Sequence, residues 1–309
     1  YAGGIARFNV SSFTSFSVQE TGTVISSCPY VISSGGIYAV SGSISSAATC
    51  IHVQASHVVL DCAGFTVTYG TGGIGYGINV SSATGASQTN VTIANCTVET
   101  TFANPGQSGK HAINLENTSL SVIASNTIRA NGSGVQAGVR VRNGSLVNIT
   151  NNDIQSGGPN GAGVHLLENG TGARIVSNTV QVGDGDTYGV LVDKNTNETF
   201  VLANTITTVS EGDSTNYGIL LAGSRSIIES NTVVTRGSGT SNPGILVQPW
   251  ATLTYTVVHN RIANNTVIVN STGAPAGVEF DKGISLSNHT NTTVINNTIF
   301  VDGTEGDHW

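Results

Sequence analysis

Between residues 50 and 299 the apolar positions come in short alternating groups, with no helical period of 3.6. One phrase, a small residue followed by apolar-x-apolar, recurs as Gly77-Ile78-Asn79-Val80, Ala112-Ile113-Asn114-Leu115, Gly138-Val139-Arg140-Val141, Gly163-Val164-His165-Leu166, Gly189-Val190-Leu191-Val192, Gly218-Ile219-Leu220-Leu221, Gly244-Ile245-Leu246-Val247 and Gly283-Ile284-Ser285-Leu286. Alternation with period two places both apolar side chains on one face of a strand. A second phrase, Asn-x-(Ile/Val), recurs at Asn126, Asn152, Asn178, Asn204, Asn231, Asn260 and Asn297, with steps of 26, 26, 26, 27, 29 and 37 residues. From Ala112 onward each first phrase precedes its Asn by 13 to 16 residues. Two phrases held at a fixed offset define a structural repeat.

A period near 26 residues accommodates two or three strands and their turns, but not a crossover helix. Stacking such units pairs each strand with its copies above and below, and the inward Val and Ile columns become one continuous core. The prediction is an all-β parallel solenoid with about nine coils over residues 50–299, roughly 43 Å long at about 4.8 Å per coil. The small residue is expected to permit a sharp turn into the strand. The recurring Asn is expected at a bend, tolerating left-handed backbone and forming a hydrogen-bonded ladder along the axis. Leucine-rich repeats share the period, but thirteen scattered Leu do not supply their regular Leu positions.

Composition narrows the class. Only 9% of residues are charged, against about 25% in an average soluble domain. A net charge of −7 without a Lys/Arg cluster argues against nucleic acid as a partner. Hydrophobic content of 38% and a mean hydropathy of +0.08 exclude a disordered chain. No apolar stretch is long enough for a membrane span, and no signal peptide is visible. The start at Tyr1 rather than Met is read as a processed or truncated form. Cys28, Cys50, Cys62 and Cys96 are even in number, spaced by 22, 12 and 34 residues. Without a close ligand pair they read as disulfide cysteines rather than a metal site.

The stretches Cys50-Ile51-His52-Val53, Val58-Val59-Leu60-Asp61-Cys62-Ala63-Gly64-Phe65-Thr66-Val67 and Asn90-Val91-Thr92-Ile93-Ala94-Asn95-Cys96-Thr97-Val98 resemble the opening of right-handed parallel β-helix proteins of the pectate-lyase-like superfamily, secreted and cell-surface type. That family more often has Gly-His where this chain has Gly64-Phe65. The resemblance covers about residues 35–301 and implies a right-handed parallel β-helix (36–301), an extended N-terminal segment (1–35) and a short tail (302–309). It is specific for fold and weak for function, because this solenoid carries enzymes, adhesins and inert fibres alike. Laying Val91 on Val58 and Ile93 on Leu60 suggests a Cys62–Cys96 bridge between coils, leaving Cys28–Cys50; four Cys permit three connectivities. The family's polygalacturonase-type hydrolases carry Asn-Thr-Asp, Asp-Asp, Gly-His-Gly and Arg-Ile-Lys phrases, and none occurs here.

No catalytic residue or cofactor is therefore assigned. Glu116, Arg142, Leu167 and Asp193 stack outward, one per coil. Glu116 and Asp193 then lie about 14 Å apart, beyond the roughly 5 to 9.5 Å of paired glycosidase carboxylates. Glu116 with Arg142 reads as a cross-strand ion pair. Asp184, Asp186, Glu211 and Asp213 fall at equivalent loop positions and are candidate Ca²⁺ ligands or a lyase-type site, weighed against a solvated acidic loop. His165, outward beside Arg140, reads as a surface residue.

Sequons are in excess: Asn9, Asn79, Asn90, Asn95, Asn117, Asn131, Asn143, Asn148, Asn169, Asn197, Asn264, Asn270, Asn288, Asn291 and Asn296. Asn117, Asn143 and Asn169 recur at 26-residue steps, and crowding at coil spacing predicts partial occupancy by N-glycans there. Such a coat would replace the missing surface charge. The partly alternating apolar segment from Ile5 to Val18, which holds Phe8, Phe13 and Phe16, either caps its own solenoid or pairs with the open end of the next subunit, head to tail. The expectation is a non-enzymatic, N-glycosylated extracellular or cell-surface structural protein forming a homopolymer. The alternative is a polysaccharide-active or glycan-binding protein using a lateral face.

Overall fold

The computed structural model describes residues 22–100, 110–131, 136–158, 160–183, 185–210, 215–237, 241–249, 256–271 and 281–303. Among these there is no helix. Three long sheets run along the molecule, each made by stacking one strand per coil, and every strand pair is parallel. The first sheet of each coil holds ten strands, from Tyr30–Ile32 to Ile284–Leu286; the second holds eleven, from Thr23–Ile25 to Thr293–Ile295; the third holds ten, from Ile44–Ser45 to Thr298–Gly303. This is the expected β-helix. It begins earlier than the sequence suggested, because residues 23–25 and 30–32 already pair within the second and first sheets. It also ends two residues later, at Gly303.

The core consists of the inward columns. Ile78, Ile113, Val139, Val164, Val190 and Ile219 stack in register in the first sheet, and Ile128, Ile154, Val180, Ile206 and Val233 in the third, all fully buried. The glycine that opens the repeated phrase lies, in most copies, inside its first-sheet strand and has a different reason from the one expected. Gly138, Gly163, Gly189 and Gly218 are not left-handed; a Cβ at any of them would collide with the third-sheet Ile or Val of the same core layer. Close approach across the coil requires the glycine, and no turn does.

The Asn ladder is present and buried. Asn152 donates both its backbone N–H and Nδ2 to Asn178 Oδ1, each at 2.9 Å, and Nδ2 also donates to Ile123 O at 2.9 Å. The same pattern links Asn126, Asn152, Asn178, Asn204, Asn231, Asn265 and Asn297. Two expectations change here. Asn260 is not a rung: in the longer coil it moves to another corner, donating to Gly223 O and accepting from Ser226 N–H, and Asn265 takes its place. The left-handed residue at the bend is not the ladder Asn but the one before it, as at Ser125, Asn151, Ser177, Ala203, Ser230, Asn264 and Asn296.

Cys96 N–H donates to Asn126 Oδ1 at 2.9 Å, so Cys96 forms the rung before the ladder, and its disulfide to Cys62 carries the covalent tie one coil further. Cys28 pairs with Cys50 and anchors the first described coil. The segment 5–18 lies outside the described residues.

Candidate lateral site

The outer faces of the sheets are where function can sit, since the interior is filled. On the third sheet, Gln155 and Gln181 stack outward in register, with Gln155 Nε2 donating to Gln181 Oε1 at 3.1 Å. Beside them Gly157 and Gly183 are also in register. Two stacked glycines remove the side chains that would fill the strip, and a shallow groove of about 430 Å³ results. Asn131 stands at one end and Arg236 at the other, with Thr207 and the exposed Val209 completing the wall. From the coil of Asn131 to that of Arg236 is four steps, about 19 Å at solenoid spacing. Among the described residues lining it there is no carboxylate, His or Cys.

Of the four acidic candidates, only Asp186 falls among the described residues. Asp184, Glu211 and Asp213 lie outside the described residues, and Asp186 Oδ1 accepts the Thr215 N–H at 2.6 Å. No group of three or more His, Cys, Asp or Glu suited to a metal occurs among the described residues. Glu116 does pair with Arg142, at 3.3 Å, and Arg142 also reaches Glu168 at 3.0 Å. These are partly exposed pairs of small energetic value. Asp193 is buried and its Oδ1 accepts the Lys194 N–H.

The outer face of the first sheet differs along its length. The middle residue of each apolar-x-apolar phrase forms one outward column: Asn79, Asn114, Arg140 and His165, then Leu191, Leu220 and Leu246. These Leu are buried although they point away from the core, and pack with Ala137, Ala162 and the stacked pair Tyr188–Tyr217, whose ring centroids are 5.0 Å apart. His165 is not the surface residue expected: its Nε2 is shielded from solvent, and burial beside Arg140 lowers its pKa to about 4. The switch from polar to Leu in that column is a signal the sequence already held.

Asparagines divide into two populations. All fully built ladder rungs from Asn126 to Asn265 are buried, and none is a sequon. Every described sequon Asn is exposed or half-buried. The separation has a simple cause: a ladder Asn needs an inward Val or Ile two residues later, which excludes Ser or Thr. Asn117, Asn143 and Asn169 form a second, outer ladder, Nδ2 to Oδ1 at 3.1 and 3.4 Å.

Residues 8–233 and 138–299 match the family described as right handed beta helix region. The chain belongs to that family. No curated protein matches this β-helix in sequence. Among solved structures it is similar to ORF18 of Geobacillus virus E2 (14% identity, 87% of this chain and 54% of that one, TM-score 0.47). It is also similar to the periplasmic alginate epimerase AlgG (11%, 86% and 62%, TM-score 0.48). A third is the surface protein and adhesin PfbA of Streptococcus pneumoniae (10%, 90% and 90%, TM-score 0.39). The β-helix chain thus spans 54% and 62% of the first two structures. No activity is carried across at these identities.

Proposed function

We propose that this β-helix is an extracellular glycan-binding protein that lays a saccharide chain along the third-sheet groove. The observation that carries this reading is the groove's lining: stacked amides of Gln155 and Gln181 and the Arg236 guanidinium beside a glycine floor, with no carboxylate or imidazole among the described residues that line it. Amide and guanidinium donors in a shallow open strip suit hydroxyl-rich, elongated ligands. Two disulfides fit an oxidising compartment. Titration calorimetry against soluble polysaccharides, uronic-acid polymers among them, tests the reading. Binding without release of reducing ends is expected, and Arg236→Ala together with Gln181→Ala should weaken it at least about tenfold, the scale of one lost charge-assisted hydrogen bond. Absence of binding to every polymer, or turnover that survives both substitutions, would overturn it.

A second reading, an N-glycosylated subunit of a head-to-tail filament, is favoured by the last coil. Val294 and Ile299 occupy inward columns yet are 43% and 45% exposed, whereas Ile262 and Val267 one coil earlier are fully buried. Apolar columns carried to the last described coil pair with a further strand, of this chain or of a second copy. Electron microscopy of the native material should then show filaments repeating near the rod length, with subunit mass above 31.5 kDa; unglycosylated monomers at high concentration would count against it. The two readings meet at Asn131, a sequon at the groove's end, where a glycan would compete with a bound saccharide.

A further inference from the structure

Three neighbouring strands of the first sheet, Lys110–Glu116, Gln136–Arg142 and Ala162–Leu167, carry His111, Arg140 and His165. Arg140 lies in register between Asn114 and His165. Its Nη1 donates to Asn114 Oδ1 at 3.0 Å, and among the described residues it forms no ion pair. The carboxylates of Glu116 and Glu168 are both taken by Arg142. Buried His111 stacks on Tyr76 at 5.8 Å, and its Nδ1 accepts the Ala137 N–H at 3.0 Å. The neutral ring must therefore carry its proton on Nε2. His165 Nε2 is buried and has no hydrogen-bond partner among the described residues.

A guanidinium using one of its five N–H groups stands beside an imidazole N–H donor and an orphaned buried imidazole nitrogen. Such an orphan is costly to leave unpaired. An oxyanion is the ligand that answers all three at once: it balances the charge, accepts a bidentate pair from Arg140, and accepts from the Nε2 of each histidine. We propose that Arg140, His111 and His165 form a binding site for a small oxyanion, a sulfate or the carboxylate of an acidic sugar. It lies on a different sheet from the groove and stands or falls independently of it.

The pH dependence follows from what surrounds His165. The titratable and charged groups around it are Arg140 on the preceding strand, His111 two strands back and Tyr188 on the following strand, whose phenol is pushed up to about 12 by burial. Without ligand, burial and Arg140 hold both imidazoles neutral, His165 at about 4 and His111 at about 3. A bound anion favours the imidazolium form of His165 and raises its value, while His111 stays neutral because its Nδ1 is held as the acceptor of the Ala137 N–H, so affinity should increase as pH falls from 7 toward 5.

The test is an NMR titration of the imidazole resonances of the whole chain with sodium sulfate and, separately, with a uronic acid monosaccharide. Two of the seven histidines should shift saturably, one of them absent from the His165→Gln spectrum. Arg140→Gln should weaken binding at least tenfold while Arg140→Lys retains part of it. A response to both ligands, or to either alone, supports the site and tells which source of oxyanion it takes. No saturable shift of His111 and His165 in the wild-type chain overturns the proposal whatever the variants do, as does an unchanged response in folded Arg140→Gln.

Discussion

Asn178→Leu is expected to destabilise the protein by about 3–5 kcal/mol. Asn178 Oδ1 accepts two donors from the coil below, the Asn152 N–H and Nδ2, each at 2.9 Å. Its own Nδ2 reaches Ile149 O at 2.9 Å and Asn204 Oδ1 at 3.0 Å. Leucine fills a similar volume but strands both donors of Asn152 in a buried site, at about 1–3 kcal/mol each. Because each coil touches only its neighbours, the loss falls on one interface in mid-rod, and the two halves can uncouple. Guanidinium denaturation should show a lower midpoint, or two transitions in place of one. Gln155→Leu, on the partly exposed outer face, should stay within about 0.5 kcal/mol. A midpoint for Asn178→Leu equal to that of Gln155→Leu would show that the ladder contributes nothing.

Gly189→Ala should cost about 3 kcal/mol, more than an alanine ordinarily does in a strand. The added Cβ meets the Ile206 side chain across the coil and lies 2.5 Å from the Gly218 carbonyl oxygen of the next coil. The isoleucine can turn, but the carbonyl belongs to the stack and cannot move without shifting it, so the overpacking penalty is paid in full. Gly42→Ala is the comparison: nothing lies within 4 Å of its added methyl group, and its change should stay within about 0.5 kcal/mol. Equal melting temperatures for the two variants would refute the close-approach account of the glycine column.

Much of this architecture is written locally. Period two along each strand, together with the repeat of about 26 residues, fixes which side chains point inward and that the strands are parallel. The Asn column and the Cys96 rung continuing it follow from the same register, because in a solenoid the partner of each residue is its own copy one repeat away. Sequon exposure is legible too, since the ladder's need for an apolar residue two places on separates the two kinds of Asn.

Where the repeat lengthens, local reading fails. The step from Asn231 to the next rung is 34 residues, to Asn265, and only inter-coil packing decides that Asn260 leaves the column. Likewise the groove exists because Gly157 and Gly183, each unremarkable in its own strand, come into register. The shielding of His165 depends on neighbours in the coils on either side of it. The sequence by itself determined the rod, its core and its ladder, because those follow from periodicity within one coil. Tertiary structure alone decided which outward positions are covered, orphaned or left open, because that depends on contacts between coils whose loops differ in length.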